Sequence, residues 1–66
     1  MIHLRLEGKS FDFTPQKLGV THQSSDHDIK TRVAQHFDMG WDKIQPYVVD
    51  RRPSGDIIVR PEAVYG

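Results

Sequence analysis

The stretch from Ser25 to Phe37 constrains the fold most, because it alone combines a helical period with a start signal. Ile29, Val33 and Phe37 recur every four residues with Ala34 beside them, which places one apolar stripe on a helix. Lys30, Arg32, Gln35 and His36 fall largely to the other side, so the helix should lie on something and keep one face wet. Ser25 followed three residues later by Asp28 has the form of a capping box. Asp26 adds a carboxylate where the positive end of the helix dipole would be. Met39-Gly40 is expected to end the helix.

A chain of 66 residues has room for a single domain, residues 1–66, and needs every large apolar side chain it has. Chains this short bury only about 60% of their unfolded surface. Nine basic and nine acidic residues balance, which argues against a protein that grips nucleic acid or anionic lipid by bulk charge. There is no cysteine, so neither a disulfide framework nor a thiolate zinc site is available to reinforce the core. No apolar run approaches the roughly 20 residues that cross a bilayer, and the first residues alternate in place of a signal-peptide core. The expectation is a soluble, cytoplasmic domain that does not engage membrane.

From Met1, the apolar Ile2, Leu4 and Leu6 alternate with His3 and Arg5, the period of a strand with one covered face. Glu7-Gly8-Lys9-Ser10 supplies a turn, and Phe11 and Phe13 resume the alternation until Thr14-Pro15 stops it. This is a hairpin with Ile2, Leu4, Leu6, Phe11 and Phe13 on one side. Pro15 to Ser24 has no sustained period and reads as a connection, tacked to the core by Leu18 and Val20. Trp41 and Ile44 are spaced like one helical turn. Tyr47-Val48-Val49 and Ile57-Ile58-Val59 are β-branched runs, with Pro53 and Gly55 between them in the positions of a tight turn. Strand, strand, helix, strand, strand makes an α+β domain: a mixed four-stranded sheet with one helix packed across one face. The last strand should lie beside the first and parallel to it.

That ββαββ order is the β-grasp plan, and particular residues resemble ubiquitin and its relatives. Met1-Ile2-His3-Leu4-Arg5-Leu6-Glu7-Gly8-Lys9-Ser10-Phe11 is similar to the first hairpin of that family, with Gly-Lys in the turn. Ile29-Lys30-Thr31-Arg32-Val33-Ala34-Gln35 resembles its helix. The resemblance implies a ubiquitin-like domain that binds proteins through its exposed sheet face and carries out no catalysis. Ubiquitin and the sulfur carriers end in Gly-Gly, whereas this chain ends Val64-Tyr65-Gly66. A modifier or sulfur carrier acting through Gly66 is therefore the second reading.

Alternation places His3, Arg5, Asp12, Val48, Ile58 and Arg60 on the face opposite the helix. Val48 and Ile58 are apolar on a surface that should be wet, the pattern of a contact patch, and Arg5 and Arg60 frame them. Trp41 and Tyr47 join the partner-binding candidates because aromatic residues are enriched at interface hot spots, although Trp41 could equally close the core under Phe37. Arg51 and Arg52, with Arg60, could form a basic edge for a small nucleic-acid binder, but overall neutrality favours a solvated turn balanced by Asp50 and Asp56. His22 and His27, with Asp26 and Asp28, lack the helical spacing of a metal pair. No nucleophile stands near a base and no phosphate loop occurs, so neither an enzyme nor a cofactor is expected. A spare strand edge could support a homodimer.

Overall fold

In the computed structural model, which describes residues 1–62, the order is β1 (Ile2–Leu6), β2 (Lys9–Phe13), α1 (Pro15–Leu18), α2 (Asp26–His36), α3 (Trp41–Ile44), β3 (Tyr47–Arg51) and β4 (Ile57–Pro61). The strands form one mixed four-stranded sheet in the order β2-β1-β4-β3, with β4 parallel to β1 and the two hairpins antiparallel. Two short helices accompany the long one. Pro15–Leu18, which reads as a connection without a period, is a one-turn helix, and Trp41–Ile44 is the single turn that its spacing suggests. Each exists to bury one side chain, Leu18 or Ile44, and Val20 is buried after the first. Proline at the first helical position suits the start of α1, where its missing N–H is no loss.

The first hairpin closes on Glu7-Gly8, both with positive φ (52° and 79°), which is the geometry of the two-residue type I′ turn whose twist matches that of the strands. The resulting register pairs Ile2 with Phe13 and Leu4 with Phe11, so the apolar residues share a face as the alternation requires. In the second turn Gly55 donates its N–H to the Arg52 carbonyl at 2.9 Å across Pro53, with Gly55 itself left-handed at φ 94°.

Helix α2 starts where its sequence says it should. The Ser25 hydroxyl accepts the Asp28 N–H at 3.1 Å, and Asp26 and Asp28 occupy the first turn. Its end differs from expectation. The left-handed residue is Asp38 (φ 54°), not Gly40, because Met39 N–H reaches back to the Ala34 carbonyl (2.8 Å) and Asp38 N–H to Gln35 (3.3 Å). These two bonds are a Schellman motif, which carries Met39 down onto the core. Asp38→Gly is expected to raise stability by about 0.5 kcal/mol by relieving that conformation, read as a shift of the urea midpoint without a change of slope.

The stripe of α2 covers one face of the sheet. Ile2, Leu4, Ile29, Val33, Ile44 and Val59 are fully buried, with Phe13, Ala34 and Ile57 nearly so. Each such aliphatic side chain contributes about 1.5–3 kcal/mol of burial. Phe37, at the helix end, packs 5.1 Å from Phe11 and 5.9 Å from Phe13 between ring centroids, which pins the helix to the first hairpin. With one face of the sheet occupied in this way, the other has no layer above it among the described residues.

Candidate functional site

The open face follows from strand parity. Since Ile2, Leu4, Ile57 and Val59 point into the core, His3, Arg5, Ile58 and Arg60 point the other way. The register arranges them in two rows across the sheet. One row runs Asp12, His3, Ile58, Asp50 from β2 to β3, each next to its neighbour in the pairing. In the next row Ser10 opposes Arg5 and Arg60 opposes Val48, and the β1–β4 register continued by one step past Leu4 and Val59 brings Arg5 beside Arg60. His3, Arg5, Ser10, Asp12, Ile58 and Arg60, with Arg52, line a hollow of ≈ 620 Å³, and Val48 and Asp50 lie outside it.

The polar groups on this face are unequally satisfied. His3 Nδ1 and Asp12 Oδ1 are 2.8 Å apart, a directly opposed cross-strand pair. Arg52 meets Asp50 at 3.2 Å. Both carboxylates of the face are thereby engaged. Among the described residues no carboxylate lies within 4.0 Å of Arg5 or Arg60. Ile58, half-buried between His3 and Asp50, is the apolar floor, and half-buried Val48 sits at its margin.

Four of the sequence candidates, Arg5, Val48, Ile58 and Arg60, thus share one face. The other two do not join them. Tyr47 is in phase with Val49 and packs on the core side, lining a second hollow of ≈ 470 Å³ with Leu6, Phe37 and Met39. Burial, and then the charge of Glu7, raise its phenol above the ordinary pKa of 10.0. Trp41 is 43% exposed, so it does not close the core; Ile44 does. Its ring stands against α2 instead, 4.8 Å from the His27 ring and 5.5 Å from Lys30 Nζ. Trp41 begins a single helical turn and has no period to place it, whereas the alternation that puts Val48 on the open face already puts Tyr47 on the other.

The arginine pair of the β3–β4 turn separates in the same way. Arg51 turns to the helix side, where its guanidinium donates to Asp26 Oδ1 (2.8 and 3.3 Å), the Ser24 carbonyl (2.7 Å) and the His22 carbonyl (3.2 Å). Arg52 turns to the open face. Arg51 is a clamp between the end of β3 and the entry to α2, so Arg51, Arg52 and Arg60 do not form one basic edge. Nothing local in the sequence signals this, since the partners are 25 to 29 residues apart.

Among the described residues no group of three His, Asp or Glu side chains is placed to hold a metal ion, and no helix is long and apolar enough to cross a membrane. Val64, Tyr65 and Gly66, including the proposed modifier tail, lie outside the described residues. No family model, no curated protein and no solved structure matches the chain.

Proposed function

We propose that this chain is a ubiquitin-like β-grasp domain that acts without catalysis, by binding another protein through the open face of its sheet. The support for the fold family is the β2-β1-β4-β3 order with α2 across one face, together with the resemblance of the first hairpin and the helix to ubiquitin. The observation that carries the binding role is Ile58, an apolar side chain between His3 and Asp50 on a largely polar face, with two arginines and the apolar Val48 in the adjoining row. An apolar centre with a polar rim is the anatomy of a contact surface. The hollow above it is lined by residues of the sheet face and is open to solvent, which suits the side chains of a partner better than an enclosed substrate.

The test uses neighbouring positions with opposite orientations. A photo-crosslinking residue at position 58, introduced in the source cell, should give a discrete adduct whose partner is then purified. Ile58→Gln is expected to leave the domain folded, at about 1 kcal/mol or less, and to weaken that complex about tenfold or more. Ile57→Gln, one residue away but buried, should unfold the domain. A complex of undiminished affinity with Ile58→Gln, or unfolding by it, would remove Ile58 from the contact surface.

A further inference from the structure

The two rows of the open face differ in how their charges are arranged. In the first, both carboxylates have a partner: Asp12 has the His3 ring and Asp50 the Arg52 guanidinium. In the second, Arg5 and Arg60 each follow the last paired residues of the adjacent parallel strands, Leu4 and Val59, so the register extended by one step makes them neighbours, and they have no carboxylate within 4.0 Å among the described residues. Like charges directly opposed across a sheet are destabilising. A domain this small holds that arrangement on its exposed face, beside the half-buried Ile58, in a chain whose overall charge is zero.

We propose that the Arg5–Arg60 pair is an anion-binding subsite that receives a carboxylate side chain of the partner, while an apolar side chain of the same segment seats on Ile58. This rests on the open face being the docking surface and specifies its partner as an acidic segment in extended form. Ile58 and Arg60 are two residues apart on one strand, about 6.6 Å, which is the spacing of alternate side chains on an extended peptide. Two arginines on neighbouring strands can aim their N–H donors at one carboxylate, and the incoming charge offsets the repulsion between them. Ser10, next to Arg5 in the same row, is a further hydroxyl donor at the edge.

The experiment is an NMR titration of the full chain with a short synthetic peptide in which leucine alternates with glutamate, alongside peptides with glutamine or lysine in place of glutamate. Shifts should centre on His3, Arg5, Ile58 and Arg60, weaken with added salt, and fall in affinity at least threefold, on the order of an exposed ion pair, with the glutamine peptide. Arg5→Gln should lose the same discrimination. Arg60→Glu places opposite charges side by side: it should abolish binding of the glutamate peptide and raise Tm by about 2 °C or more. Equal binding of the glutamine or lysine peptide, no binding of the glutamate peptide, or a lowered Tm in Arg60→Glu overturns the anion subsite while leaving the face available to another partner. Shifts confined to α2 overturn both.

Discussion

Ile29→Ala is expected to destabilise the domain by about 2–5 kcal/mol, enough to leave a large unfolded fraction at room temperature. A chain of this length has about 3–10 kcal/mol of stability in all. Ile29 is fully buried and sits in the first half of α2, at the start of the stripe that includes Val33 and Ala34. Truncating it leaves a cavity under the helix that the sheet below, with its register set by two hairpins, collapses only partly to fill. Urea unfolding followed by Trp41 fluorescence reads the loss, because Trp41 stands against His27 and Lys30 of α2 and reports the helix leaving the sheet. Gln35→Ala, on the exposed side of the same helix, should stay within about 0.5 kcal/mol. Similar effects at the two positions would mean that α2 does not lie on the sheet by the stripe described here.

Arg51→Ala comes next in size, at about 1–2 kcal/mol. The guanidinium satisfies the Ser24 and His22 carbonyls and pairs with Asp26 in the first turn of α2, so its removal frees the end of β3 from the loop that enters the helix. Bonds to charged groups contribute about 1.5–3 kcal/mol when sheltered, and the 39% exposure of the Arg51 side chain reduces that. Arg51→Lys should recover less than half, since a single ammonium cannot reach acceptors that a planar fork spans. Arg52→Ala should change stability by less than about 0.5 kcal/mol, as an exposed pair with Asp50 does. The asymmetry is the informative part. Arginines serving jointly as a surface patch would show equal and small effects on stability in denaturant titrations.

The difference between these two arginines also shows where sequence reasoning stopped. Alternation in Ile2 to Leu6 and Phe11 to Phe13, and the four-residue repeat of α2, are local patterns with a fixed period, and they placed the core and the open face residue by residue. Ser25 was readable as the cap because its hydroxyl bonds only three residues ahead. The end of α2 was placed too late, since glycine is the usual left-handed residue and here an aspartate takes that role. Pro15 to Leu18 is a single helical turn held by burial of Leu18, too short for any period to show. The Arg51 clamp depends on a loop 25 or more residues away coming to rest under β3, which only the assembled fold determines. Alternation assigns His3, Arg5, Asp12, Val48, Ile58 and Arg60 to the open face, but Ser10, Asp50 and Arg52, which read as turn residues, and the Arg5–Arg60 neighbour relation require the register of the assembled sheet.

The two faces of the sheet can be compared in one experiment, by measuring relaxation of isoleucine methyl signals in the presence of a soluble gadolinium chelate. In the free domain Ile58 should be relaxed strongly while Ile2, Ile29, Ile44 and Ile57 stay protected, and adding the partner should protect Ile58 selectively. Protection of Ile58 equal to that of Ile57 in the free domain would contradict an unlayered sheet face, and unchanged exposure of Ile58 in the complex would contradict the proposal that this face is the docking surface.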